Sequence, residues 1–272
     1  MLNLQQIHKP TRIQDALALL QQPGTVALGG GSQLQTEQRR DVRAVVDLSA
    51  LGLAYIRESV GTIVIGATTT LAALDESPIL RALANSVIAQ AAHRSASSIL
   101  RNQATMAGTL ISEPAGVLAV ALLALDAQVT MVRQATRTLA LADFLAGREQ
   151  MLTNALVTEI VIPMSNARAS LHIVARTPSD KPIVCAVASA RVENKIARTL
   201  RVALGGVSET AVRASAVEKN LEGQALDDAR IADSAKLASQ GLAPRGDFRG
   251  SVEYRTKMAV VLARRAVQEL VA

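Results

Sequence analysis

Apolar and polar positions along the chain change period several times, and the changes mark its elements. Ile13, Leu17 and Leu20 recur at helical spacing between Thr11, a candidate N-cap, and the Pro23-Gly24 stop, so residues 11–22 predict a helix. The apolar run Thr25 to Leu28 predicts a buried strand, and residues 42–48 a second one. Tyr55–Glu58 and Thr62–Ile65, separated by Ser59 to Gly61, predict a hairpin. A short helix follows near Leu71 to Asp75. Ile79, Leu80, Leu83, Val87 and Ile88 then predict one longer helix over 79–93, started by Ser77-Pro78. The apolar segment 115–125 predicts a buried helix, residues 129–132 and 138–141 a hairpin, 142–144 a short helix, and 158–163 a strand ending at proline.

The polar stretch 164–168 is the expected domain boundary. Beyond it, residues 183–192 and 200–204 read as strands joined at Glu193 to Lys195, and residues 212–222 and 227–239 as helices. A final amphipathic helix spans 254–271, with Tyr254, Met258, Val261, Leu262, Val267 and Leu270 expected on its apolar stripe. Its basic residues Arg255, Lys257, Arg264 and Arg265 belong either to a solvated face or to a partner-docking face.

Two stretches interrupt this pattern with small residues. The first is Gly29-Gly30-Gly31-Ser32-Gln33, directly after a strand. Glycines lacking Cβ let consecutive backbone N–H groups converge, which suits a phosphate or pyrophosphate; an ordinary turn is the alternative. The second is residues 95–113, expected to be a small-residue loop that either packs tightly or admits a ligand.

Composition narrows the function. Hydrophobic residues make up 49% of the 272, but aromatics only 1%, so a stacking platform for single-stranded nucleic acid is absent. The net charge is +6, yet the basic residues are dispersed; Arg39-Arg40 and Arg264-Arg265 are pairs rather than tracts, which argues against nucleic acid and suits an acidic protein partner. The single cysteine, Cys185, lies in an apolar run and predicts a buried core residue, with neither a disulfide nor a cysteine-ligated metal cluster in this chain. His8, His93 and His172 are scattered and read as structural or surface residues. No apolar run approaches the 18 residues of a membrane span, and no signal-peptide pattern opens the chain, so a cytoplasmic location is expected.

Together these landmarks resemble the FAD-binding medium subunit of the molybdenum hydroxylases, of the carbon monoxide dehydrogenase and xanthine dehydrogenase type. The resemblance runs through the whole chain: Gly29 to Leu34 resembles the first pyrophosphate loop, Val46-Asp47-Leu48-Ser49 and Ile65 to Thr69 the structural signatures, and Arg101 to Leu110 the second flavin loop. Leu156 to Pro163 resembles the end of the flavin domain, and Ala203 to Val207 with Glu253-Tyr254-Arg255 the C-terminal domain. It implies an α+β fold: a PCMH-type FAD-binding domain over 1–165, with subdomains of about 1–53 and 54–165, then a C-terminal domain of antiparallel sheet plus helices over 168–272. It also implies that FAD is held by Leu28, Gly29, Gly30, Gly31, Ser32, Gln33, Thr105, Ala107, Gly108, Thr109 and Glu113. Gly29 to Gln33 and Thr105 to Thr109 would donate to the pyrophosphate, and Glu113 would accept from a hydroxyl.

The implied partners are a large molybdopterin-binding subunit and a small 2Fe–2S iron–sulfur subunit, with electrons passing through FAD to an external acceptor. No catalytic or metal-binding residue is expected in this chain. The second loop departs from the family's Gly-Thr-Ile-Gly-Gly-Asn, reading Ala104-Thr-Met-Ala-Gly-Thr109, and Glu113-Pro114 stands where the family has Asp-Pro. Two functions therefore remain: an electron-transfer flavoprotein subunit, or a non-enzymatic relative with weak or no flavin binding that serves as a scaffold.

Overall fold

The computed structural model describes residues 4–34, 41–177 and 180–272; the Arg39-Arg40 pair lies outside them. The chain opens with β1 (Gln6–His8), α1 (Ile13–Leu20), β2 (Thr25–Leu28) and β3 (Ala44–Asp47). The three strands pair in parallel in the order β1-β3-β2. The centre, β3, is the buried strand, with Val45 and Val46 fully covered. Contrary to the sequence reading, β2 is only partly covered, because it is an edge strand with α1 against it. The N-cap of α1 is Arg12 rather than Thr11.

A second layer follows with β4 (Ile56–Ser59), β5 (Thr62–Gly66), α2 (Leu71–Glu76), α3 (Pro78–Ala82), α4 (Val87–Ser95), α5 (Ser98–Arg101), α6 (Met106–Ser112), α7 (Val117–Ala124), β6 (Gln128–Val132), β7 (Thr136–Ala140), α8 (Leu141–Leu152) and β8 (Leu156–Pro163). Its antiparallel sheet has the order β4-β5-β8-β6-β7. The expected long helix over 79–93 is broken. Ala84, Asn85 and Ser86 all take positive φ, held by Ser86 Oγ donating to the Arg81 carbonyl at 2.6 Å and Gln90 Nε2 to that of Asn85 at 2.8 Å. Those two bonds satisfy carbonyls that a continuous helix would have used, and they turn α4 away from α3. The segment 95–113 is likewise mostly helical rather than a loop.

The third layer contains β9 (Arg168–Val174), β10 (Val184–Glu193), β11 (Ile196–Gly205), β12 (Val212–Arg213), α9 (Ser215–Leu221), α10 (Asp228–Ala235) and α11 (Val252–Glu269), with the antiparallel sheet ordered β12-β11-β10-β9. Residues 212 and 213, expected to be helical, form the short edge strand.

The helix α7 is apolar on every side and every residue of it is buried, as a helix without a polar face must be. It packs between α4 and the third sheet, and one core cluster includes both its residues and Cys185, Val187 and Ala203 of that sheet. Cys185 is the small core residue its sequence context predicts, and burial pushes its thiol pKa up to about 12. Asp126, just after α7, pairs with Arg201 at 2.7 Å and Arg213 at 2.8 Å, which closes the edge of the same contact. Of the expected stripe on α11, Leu262, Val267 and Leu270 are buried, Met258 and Val261 half-buried and Tyr254 exposed; Arg255, Ala259, Ala263 and Ala266 are buried beside them. The alanines and the buried Arg255 widen that face beyond its large apolar residues. Arg264 and Arg265 lie exposed on the opposite side.

Candidate functional site

The glycine loop leaves the end of β2 and turns against the segment just before α6. A Cβ built on Gly30 would sit 1.5 Å from the Gln103 carbonyl oxygen, and one on Gly29 would sit 2.7 Å from Thr105 Oγ1. Only residues without side chains allow the two segments this approach. Gly31 takes φ +73°, which glycine adopts freely and other residues rarely do. Among the described residues, none accepts a hydrogen bond from the backbone N–H groups of Gly29, Gly30, Gly31 or Ser32. Buried or half-buried N–H groups normally find partners, so this row of donors is open to an anionic ligand.

The second segment is arranged differently from its sequence reading. Thr105 caps α6: its hydroxyl accepts from Gly108 N at 3.3 Å and its carbonyl from Thr109 N at 2.8 Å. Met106 N donates to the Thr69 carbonyl at 2.8 Å and Ala107 N to that of Ala67 at 3.0 Å. The backbone donors of residues 106–109 are therefore used inside the protein, which corrects the expectation that this loop donates to a pyrophosphate through its backbone. What it leaves to a ligand is the exposed Gly108, the Thr109 hydroxyl and Glu113, while the Ser112 hydroxyl donates to the Gly108 carbonyl at 2.8 Å.

The two segments border a cleft of about 1430 Å³ that runs between the first two layers and the third. Of the expected site residues, Ser32, Gln33, Thr109 and Glu113 line it; Leu28, Gly29, Gly30, Gly31, Thr105, Ala107 and Gly108 lie outside its wall, the glycines and Thr105 forming the seam just described. The opposite walls come from α4 and from β9 with the segment after it. Among the described residues lining it, Arg81, Arg94, Arg101, Arg176 and Lys181 stand with three carboxylates, Asp75, Glu113 and Asp180, so the cleft is biased toward anions.

His93 and His172 both stand on the cleft wall, each with a carboxylate: Nδ1 of His93 lies 2.9 Å from Asp75 Oδ2 and Nε2 of His172 lies 2.7 Å from Glu269 Oε2. Arg101 adds bonds to the carbonyls of His93 and Ala96, both at 3.1 Å, and so ties α5 to the end of α4. Sequence reasoning missed the contribution of α4, His172, Arg176 and Lys181, because only the packing of β9 against α4 brings them to the cleft. Apolar Leu100, Leu171 and Ile173 supply apolar surface that suits a ring system. Among the described residues there is no group of three metal-ligating side chains, and no single helix is long and apolar enough to cross a membrane.

An α+β protein in which a glycine loop, a capped helix and a separate antiparallel sheet enclose one long anion-favouring cleft has the form of a dinucleotide-cofactor subunit. Comparison with known proteins names the class. Residues 3–165 match the model of the FAD binding domain in molybdopterin dehydrogenase, and residues 169–270 that of the CO dehydrogenase flavoprotein C-terminal domain. The chain belongs to this family of FAD-binding medium subunits of molybdenum-hydroxylase-type dehydrogenases.

It is 27% identical to the glyceraldehyde dehydrogenase medium chain of Sulfolobus acidocaldarius over 95% of both chains. It is 30% identical to the carbon monoxide dehydrogenase medium chain of Afipia carboxidovorans, over 96% of this chain and 94% of the other. The solved carbon monoxide dehydrogenase of Hydrogenophaga pseudoflava lacking the Mo-pyranopterin moiety superposes with a TM-score of 0.91 at 27% identity, covering 97% and 96% of the two chains. FAD is thus the cofactor of this family, and the residues present fit it: open N–H donors on the glycine loop, and cations and apolar side chains along the cleft.

Proposed function

We propose that this chain holds FAD in the cleft and passes electrons from the 2Fe–2S clusters of a small partner subunit to an external acceptor, within a complex whose large subunit carries the molybdopterin centre. The observation that carries the reading is the row of unused N–H donors on Gly29 to Ser32, which ends at Ser32 on the wall of a cleft lined by cations. When bound, FAD supplies the redox chemistry, accepting electrons and yielding them to the acceptor. The chain's own residues bind and orient it: the glycine loop and the Thr109 hydroxyl donate to the pyrophosphate, Glu113 accepts from a hydroxyl, and the apolar side chains of the cleft shield the ring. The three sheets support a division into flavin subdomains of about 1–53 and 54–165 and a C-terminal domain over 168–272.

The internally bonded donors of residues 106–109 favour one competing reading, a flavin-poor scaffold that only assembles the complex. Reductive titration of the assembled complex separates the two. Flavin absorbance that falls together with that of the iron–sulfur clusters, and returns on adding an oxidising acceptor, supports electron transfer; flavin that stays oxidised while the clusters are reduced contradicts it.

A substitution tests the site itself. Gly108 is exposed at the start of α6, so Gly108→Asp sets a carboxylate where the pyrophosphate approaches. Flavin content of the purified variant is expected to fall to about a tenth or less of the parent's, given about 1.4 kcal/mol of repulsion per tenfold in affinity. Unchanged flavin content would rule out residues 105–109 as part of the site.

A further inference from the structure

Glu113 and Lys181 come from different domains and meet at the cleft. Glu113 is the C-cap of α6, and Lys181 lies between β9 and β10. Lys181 Nζ donates to Glu113 Oε1 at 2.5 Å. Both residues line the main cleft and also a smaller chamber of about 200 Å³ beside it, so the pair stands on the partition between the two. Among the described residues, no donor meets the second carboxylate oxygen, Oε2. The ammonium has three donors and spends one on this bond, so two remain for a ligand.

We propose that Lys181 is a cofactor-positioning residue, and that the Glu113–Lys181 pair receives the phosphorylated polyol part of the flavin cofactor. This rests on the flavin-binding reading above. The argument is one of charge and donor count. A carboxylate at the C-terminal end of a helix, beside a cleft that takes a dianion, is opposed twice, by the helix carbonyls and by the phosphates. Lys181 cancels that opposition by neutralising Glu113 through one oxygen. The pair then presents N–H donors for a phosphate oxygen next to a fixed acceptor, Oε2, for a sugar-alcohol hydroxyl. Because Lys181 belongs to the C-terminal domain, cofactor binding also ties that domain to the flavin domain.

The test is titration of the flavin-free full-length chain with FAD and with riboflavin, which lacks phosphate, in the parent and in Lys181→Met, Lys181→Arg, Glu113→Gln and the Lys181→Met/Glu113→Gln double variant. Thermal stability is recorded for each. The parent binds FAD; Lys181→Met weakens it by about tenfold or more, on the scale of a charge-assisted hydrogen bond. Lys181→Arg restores most of the loss. Riboflavin affinity stays unchanged, and the double variant is less impaired than the two single losses combined.

A merely structural role would lower FAD and riboflavin affinity alike and track the fall in melting temperature. That pattern, or full FAD affinity in Lys181→Met, overturns the proposal while leaving flavin binding intact. A folded parent that takes up no FAD overturns both.

Discussion

Gly30→Ala is expected to abolish flavin retention and to destabilise the fold by about 3 kcal/mol, at the upper end of the cost of overpacking. The added methyl would lie 1.5 Å from the Gln103 carbonyl oxygen, well inside any allowed contact. That oxygen belongs to backbone, not to a side chain that can swing aside, so the glycine loop and the segment leading into α6 must move apart. The seam between them is what holds the glycine loop so that its open N–H row leads to Ser32 on the cleft wall. Gly52→Ala is the control. Gly52 also has positive φ, +70°, but a Cβ there meets nothing within 4 Å. Its cost is limited to the backbone strain of about 1 kcal/mol, with flavin content unchanged. Equal flavin content and equal melting temperature in Gly30→Ala and the parent would show that the seam is not built as described.

The second large effect is expected at Arg255, which was read as a basic residue off the apolar stripe and is instead a buried tie. Its Nη1 donates to the Ile183 carbonyl at 2.6 Å and the Gly206 carbonyl at 2.8 Å, and its Nη2 to Asp247 Oδ1 at 2.7 Å. Arg255→Met keeps the aliphatic volume but strands two carbonyls, while Asp247 loses one partner and keeps Arg249. A buried polar group left without its partner costs about 1–3 kcal/mol, so about 3 kcal/mol is expected for the two carbonyls. For a chain of this size that lowers the melting temperature by roughly 10 °C. Arg264→Met, on the exposed face of the same helix, should change stability by less than about 0.5 kcal/mol. Ile183 lies two residues from Lys181, so Arg255→Met is also expected to weaken FAD binding by loosening the segment that delivers the ammonium.

The same cluster makes stability depend on acid. Arg249 first, and then Arg255 with the backbone N–H groups of Arg249 and Gly250, hold the Asp247 carboxyl below the usual carboxylate range. A carboxyl depressed in the folded state contributes stability that is present above its unfolded pKa of about 3.9 and is lost as pH falls below it. In Asp247→Asn the acid side of the stability–pH curve should be flatter than in the parent; an identical slope would show that the cluster carries no such linkage.

These residues mark where sequence pattern reaches and where it stops. The glycine loop, the hairpin before Gly66, the strand ending at Pro163 and the buried α7 were all legible, because each is specified by local period or by glycine and proline chemistry. The break at residues 84–86 was not. It depends on Ser86 and Gln90 side chains capturing carbonyls, and the apolar spacing on either side runs through it undisturbed. On α11 the stripe was legible at Leu262, Val267 and Leu270, but the burial of Arg255 was not, because its charge reads as a surface signal until the carbonyls it meets are known. At the cleft, the places of Ser32 and Gln33 agree with the glycine-loop pattern, and that of Glu113 with the resemblance. The contributions of His172, Arg176 and Lys181 could not be read from the chain, since nothing near them in sequence ties the β9–β10 segment to a cleft in another domain. Conversely, the backbone donors of residues 106–109 looked available in the sequence and are spent on Ala67, Thr69 and Thr105 in the fold.

The visible absorption spectrum of the purified chain, recorded after incubation with excess FAD and thorough desalting, tests the central claim most directly. Flavin bands that survive desalting at close to one FAD per chain are the predicted result. A folded, colourless protein would contradict it, and would mean that the unused donors of Gly29 to Ser32 and the cations of the cleft do not suffice once the second segment has turned its N–H groups inward.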